Sequence, residues 1–266
     1  MSEAHERNED SDGFSPGVFV IRGLTLRIPP GGLRITTDAH GIVDATLELH
    51  VGLDVCPTWL DIAAEHLQHA QAANRSLLAQ PQPLDDERLS QALETDLRSS
   101  MQAVVATAAA VDAFYGVLQG IVPIDEVTKG AWRERRTARY KRIAEVVRRA
   151  FRMRPRNAAQ LRSALRQLYH FRDLCVHPDL SFGQAVPHPE ARRATAKIFA
   201  TFRYPNAREL AGVGLSLVGQ ACTTAKSPYD EVAKYCEHLR PRIVPILDQW
   251  EVIHRQLFKR LGAPMG

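Results

Sequence analysis

The sequence predicts a mainly α-helical fold, a helical bundle carrying a small N-terminal antiparallel β-element. Three observations predict it. Apolar residues alternate with others only in the first fifth of the chain, between about residues 17 and 55. From Pro57 onward the apolar spacing becomes helical, most clearly at Leu89, Leu93, Leu97, Met101, Val104, Val105, Ala108, Val111, Phe114, Tyr115 and Leu118. The chain has 266 residues, 45% hydrophobic and 24% charged, enough length and apolar surface for a sizeable core.

In chain order, residues 1–14 read as a disordered tail. Met1 to Asp12 is polar and acidic, without the apolar stretch of a signal peptide. Residues 15–56 form the β-element. Val18, Val20, Leu24, Leu26 and Ile28 alternate, Pro29-Pro30-Gly31-Gly32 turns, and Leu33–Thr37 and Val43–Val51 follow as strands. Asp38-Ala39-His40-Gly41 is the hairpin loop between them. So few strands need a helical layer against one face. The helical bundle spans 57–262. Thr58 is placed to cap a first helix that runs to about Leu78, and Gln80-Pro81-Gln82-Pro83 ends it. Asp85 opens the long second helix, which closes near Gly120 and Pro123. A third helix is expected over Arg133–Phe151 and a fourth from about Asn157 to Val176 or His177, since Pro178 pushes its predecessor out of the helical region. A polar loop, Asp179 to Pro189, precedes helices over Glu190–Phe202, Ala207–Thr224 and Tyr229–Leu261, where Pro241 and Pro245 kink or divide the last.

Composition narrows the function classes. No run of eighteen apolar residues is evident, so no membrane span is expected, and the cytoplasm is the expected location. Cys56, Cys175, Cys222 and Cys236 are scattered with no CxxC pair, which argues against a cysteine zinc site and against a disulfide framework. Glu65-His66-x2-His69 puts two histidines on one helical face without an evident third ligand, so no metal is assigned. No Gly-rich phosphate loop, GxSxG or HExxH pattern occurs, and no cofactor is implied.

Charge is the strongest compositional signal. The net charge is +4, but Lys129 to Arg172 holds fifteen Lys or Arg against Glu134 and Glu145. That segment is +13, leaving −9 on the rest, and such a block attracts polyanions. Arg133, Arg135, Arg136, Arg139, Lys141, Arg142, Arg148, Arg149 and Arg152 are the candidate nucleic-acid contacts within the stretch that ends at Arg156. Trp132 and Tyr140 interleave with them, as base-stacking residues do.

One segment carries chemistry. Arg172 continues the stripe Leu161, Leu165, Leu168 of the fourth helix, and a guanidinium there needs an anion, either a ligand or an acid such as Asp112. Asp173 and His177 are four residues apart and share a face if the helix holds that far, so Asp173 is placed to orient the imidazole. The negative end of a helix favours imidazolium. A histidine that moves protons beside an arginine that holds phosphate supplies two parts of metal-free RNA cleavage. His188 and Asp179, in the following loop, are candidates for the same cleft.

Arg172-Asp173-Leu174-Cys175-Val176-His177 resembles the Arg-(Asp/Asn/His)-x3-His signature of HEPN domains, the helical bundles of many toxin, anti-phage and CRISPR-associated ribonucleases. The long helix ending Ala113-Phe114-Tyr115-Gly116-Val117-Leu118 also looks like the first core helix of such bundles, and the resemblance covers roughly residues 85–260. It implies an endoribonuclease acting as a homodimer, with Arg172 and His177 catalytic and Asp173 supporting them. RNA is the implied partner, with an antitoxin or regulatory protein where the role is that of a toxin. Pro178, directly after the histidine, is this chain's departure. Three readings stay open from sequence: a HEPN-like ribonuclease, a non-catalytic HEPN-like module that binds nucleic acid or protein, and a helical protein of unrelated function.

Overall fold

The computed structural model describes residues 21, 23–78, 85–177 and 183–250. Expectations for the N-terminal tail, Val18, Val20, the Gln80–Pro83 break, Pro178, Asp179 and everything beyond Trp250 lie outside them. The chain divides into two units, Met1–Asp54 and Val55–Gly266.

The first unit is a pair of antiparallel ribbons. β1 (Leu24–Arg27) pairs with β4 (His50–Leu53), and β2 (Leu33–Asp38) pairs with β3 (Gly41–Leu47). The β2–β3 register puts Leu33 opposite Leu47 and Ile35 opposite Ala45, with a shift between Thr36 and Thr37. Asp38 and Gly41 close the predicted hairpin loop. The Asp38 carboxylate accepts from the His40 amide at 2.7 Å, and Gly41 takes a φ of +129° that a side chain would disfavour. Leu33, Ile35, Ile42 and Leu47 are exposed.

The second unit is the bundle, with eight helices among the described residues. They are α1 (Cys56–Leu78), α2 (Asp86–Ile121), α3 (Glu126–Glu134), α4 (Arg139–Ala150), α5 (Pro155–Val176), α6 (Lys197–Thr201), α7 (Tyr204–Thr223) and α8 (Asp230–Gln249). The mainly helical fold class holds. α2 is the axis, packed by α1, α7, α5 and α4. Asp85 caps it, its carboxylate accepting from the Arg88 amide at 2.8 Å. Ala103, Val104, Val111, Phe114, Tyr115 and Leu118 of α2 are all but inaccessible and form the middle of the core with Leu60, Leu67, Ile143, Leu165, Leu168 and Leu215.

Five expectations need correction. Thr58 does not cap the first helix, because α1 already begins at Cys56 and Thr58 is its third residue. The third helix is two, because the chain turns between Glu134 and Arg139 with Arg136 at φ +45°, and α3 starts earlier under an Asp125 cap. Residues 190–202 are not one helix. Val186–Pro187 (β5) and Ala194–Thr195 (β6) form a small hairpin around Arg192 at φ +52°, and only the five residues of α6 are helical. Pro241 and Pro245 do not divide α8, which runs on through both. α2 contains an 18-residue stretch with a mean hydropathy of 1.5, apolar enough to cross a membrane by length and composition, as the core helix of a bundle also is. Ser, Thr and Gln interrupt its apolar run in the sequence, and half of its most apolar stretch is buried within the bundle.

The cysteines also come together in a way their spacing hides. Cys56, Cys222 and Cys236 are buried and close enough to interact electrostatically, and the neighbouring Cys236, together with burial, pushes the Cys222 thiol upward.

Candidate nucleic-acid interface and the Arg-Asp-x3-His motif

α5 begins with Pro155, whose missing N–H costs nothing in the first turn, and stays regular to its last residue. The His177 amide still donates to the Asp173 carbonyl at 2.8 Å, so the helix holds through Val176 and His177 caps it, its own backbone leaving the helical region at φ −126°. Leu161, Leu165, Leu168 and Tyr169 are buried against the core, and the motif emerges at the end of that stripe.

Arg172 is half-buried. Its Nε lies 3.3 Å from the Asp173 carboxylate, and its guanidinium carbon sits 5.2 Å from the centre of the Tyr169 ring. Its two Nη groups have no hydrogen-bond partner among the described residues. Asp173 and His177 are exposed, and the His177 side chain makes no hydrogen bond among the described residues. Asp173 therefore contacts Arg172 and not the imidazole. Cys175, inside the motif, packs inward with its sulfur 3.9 Å from the Met101 carbonyl, and burial pushes its thiol up to about 12. It is no nucleophile at neutral pH.

Beneath Arg172 lies a polar cluster. Asp112 accepts from the Arg139 Nε at 2.6 Å, and the Arg139 guanidinium lies 4.4 Å above the Tyr115 ring. Burial, and then the nearby Asp112 carboxylate, push the Tyr169 phenol well above its ordinary range. Asp112 is thus the acid sequence reasoning assigned to Arg172, but Arg139 takes it, because the α3–α4 turn brings Arg139 over α2.

The other basic candidates separate into two groups. Arg142 is drawn inward with Arg139: it is half-buried and its Nε is shielded from solvent. Arg133, Arg135, Arg136 and Arg152 are exposed. Lys141, Arg148 and Arg149 line an open cavity of about 620 Å3 between α3, α4 and α5, with Trp132 and Arg162 on its wall. The Glu145 carboxylate accepts from the Nε and Nη2 of Arg148 at 2.8 and 2.7 Å and from the Nε of Arg149 at 2.8 Å. These three contacts hold the Glu145 carboxyl below its usual range. Lys141 and Arg162 have no ion-pair partner among the described residues. Tyr140 packs on the core.

His188 lies with a different cluster. It is buried at the β5–β6 hairpin, its Nδ1 accepting from the Ala191 amide at 3.1 Å, and burial lowers its pKa. Glu190 beside it is held by Arg203. Nearby Asp96 of α2, 1% exposed, accepts from the Ser100 hydroxyl at 3.0 Å and from the Tyr204 amide at 2.8 Å, so it caps α7 from another helix. Burial pushes the Asp96 carboxyl up to about 6, with Glu190 adding to the rise. Sequence reasoning missed Asp96 and Arg162. Asp96 was detectable in principle, because it sits three residues after Leu93 and four before Ser100 on the buried stripe of α2. The His66 and His69 rings lie 6.1 Å apart, and no group of three or more metal-binding side chains occurs among the described residues.

No protein-family model matches this chain, and no curated protein or solved structure matches it either.

Proposed function

We propose that this protein is a metal-independent endoribonuclease of the HEPN type, working as a homodimer in the cytoplasm as a toxin or defence effector. One observation carries the reading. An exposed imidazole, His177, ends a regular helix one turn beyond Arg172 and Asp173, and that helix also presents Arg156, Arg162 and Arg166 to solvent. RNA drawn to the basic side of α3–α5 arrives beside a proton-transfer group and a phosphate-binding group.

Arg172 and His177 are five residues apart, about 140° around an α-helix. A two-fold pairing lets the arginine of one copy face the histidine of the other across a bound phosphate. The ribose 2′-oxygen attacks the adjacent phosphorus as one imidazole takes its proton. The bond from phosphorus to the 5′-oxygen breaks as water gives that oxygen a proton. The free Nη groups of Arg172 hold the charge that develops on the phosphoryl oxygens. The products are a 2′,3′-cyclic phosphate and a 5′-hydroxyl. Asp173, on the Nε of Arg172, orients the guanidinium.

The test is incubation of end-labelled total RNA with chelator present, wild type against His177→Ala. Cleavage by the wild type alone, with cyclic phosphate ends, supports the reading, and loss of about 10²–10⁴-fold fits removal of an acid–base group. Equal cleavage by both, or by neither, counts against it. The second reading is a non-catalytic nucleic-acid-binding module. It is favoured by the engagement of Arg172 with Asp173 and Tyr169, and it gives RNA retention that survives His177→Ala.

A further inference from the structure

The cavity between α3, α4 and α5 has the size and lining of a ligand site. Its volume, about 620 Å3, lies in the range of small-molecule pockets. Its chemistry is divided. Ala144, Pro155, Ala158 and Ala159 give it an apolar floor, and Trp132 is half-buried at its wall. Lys141, Arg148, Arg149 and Arg162 face Glu145 alone among its acids, leaving a charge of +3. Arg148 and Arg149 are spent on Glu145, and Arg149 also lies 3.5 Å from Asp125. Lys141 and Arg162 are exposed on neighbouring helices, α4 and α5, with no acid beside either among the described residues. An open slot of mixed polar and apolar lining, with an aromatic wall and two uncommitted cations, suits a flat ring joined to a phosphate.

We propose that this cavity binds one nucleotide unit, its base against Trp132 and its phosphate between Lys141 and Arg162. The inference deepens the proposed RNA reading by naming the contact that holds the strand away from the cleavage motif. The same chemistry fits a free mononucleotide, so the test has two arms.

In the first arm, a fluorescein-labelled single-stranded oligoribonucleotide is titrated against wild type, Lys141→Gln, Arg162→Gln, Trp132→Leu and a control, Lys234→Gln, whose exposed side chain lies on α8. Removing the stacking partner weakens binding by about 5- to 100-fold. Arg162→Gln or Lys141→Gln weakens it and lowers the slope of log affinity against log salt by about one. Lys234→Gln leaves both unchanged. In the second arm, adenosine monophosphate and inorganic phosphate are titrated by calorimetry against the same proteins. Trp132 also touches the core, so Trp132→Phe serves as the folded variant and retains most of the affinity.

RNA binding that falls for the three cavity variants and not for the control supports the site as a strand contact. RNA binding that falls equally for Lys234→Gln overturns the site and leaves diffuse basic attraction. If RNA is not bound but the mononucleotide is, with the same dependence on Trp132 and Arg162, the cavity stands and the RNA reading falls. If neither ligand is bound, both fall.

Discussion

The Arg139 guanidinium donates to the Asp112 carboxylate at 2.6 Å, and this contact decides what the neighbouring arginines are free to do. It neutralises the acid beneath the Arg-Asp-x3-His motif. Arg172 is left with the carboxylate next to it in sequence and with two Nη groups pointing to no protein acceptor among the described residues. It also removes Arg139 from the nucleic-acid candidates, since its charge is spent inside the bundle.

Arg139→Ala therefore acts on stability. Loss of the ion pair and of the stack on Tyr115 costs about 1 kcal/mol, or about 2–4 °C in a unit of this size. Lys141→Ala, exposed on the same helix, leaves the melting temperature within error. Thermal melts by circular dichroism separate the two.

The proposed dimer predicts complementation. Arg172→Ala and His177→Ala are each inactive alone. Mixed after reversible dissociation, half of the dimers are mixed, and each of those holds one intact Arg172–His177 pair out of two. About a quarter of wild-type activity returns. No recovery in the mixture would mean that both groups act within one chain.

Asp96 gives the bundle an inverted pH dependence. Its folded carboxyl is pushed from an ordinary value of 3.8 to about 6 because burial disfavours the carboxylate and Glu190 repels it, and the hydrogen bonds from Ser100, the Tyr204 amide and Asn74 only partly oppose this. The folded state holds the proton longer than the unfolded chain. The contribution is full below about pH 4 and is lost as pH rises towards 6 and beyond, a fall on the order of 2–3 kcal/mol. Urea melts between pH 4 and 7 should show this decline, and Asp96→Asn should flatten it.

Cys175 should resist alkylation. With its thiol pushed up to about 12 by burial against α2, iodoacetamide labels it slowly at pH 8 in the folded protein and rapidly in urea. Fast labelling of the native protein would place the sulfur in solvent.

Gly214 sets the approach of α7 to α2. A Cβ there would lie 2.6 Å from the Thr107 Cγ2, and the Thr107 hydroxyl is tied to the Ala103 carbonyl at 2.7 Å, so that side chain cannot rotate away without losing its bond. Gly214→Ala should destabilise by about 1–3 kcal/mol despite its better helix propensity. Chemical denaturation checks the sign.

Local patterning was enough to write most of the scaffold. The capping signal at Asp85 and the unbroken apolar period of α2 specify helices by short-range rules, as does the hairpin at Asp38–Gly41, whereas the fourth helix starts at Pro155 and not at an Asn157 cap. The motif at the end of α5 and the basic tract were also legible, because spacing along one helix is a property of sequence. Where arginines with the same local pattern end up is not. Arg139, Arg148 and Arg162 look alike in the chain, yet one is sealed onto Asp112, one is forked onto Glu145, and one is left to solvent at a cavity wall. Pairings such as Arg139 with Asp112, or Asp96 with the Tyr204 amide 108 residues away, depend on which helix faces meet. That is set by side-chain packing across α2, and the same packing breaks the expected third helix at Arg136 and folds residues 186–195 into a hairpin around the buried His188.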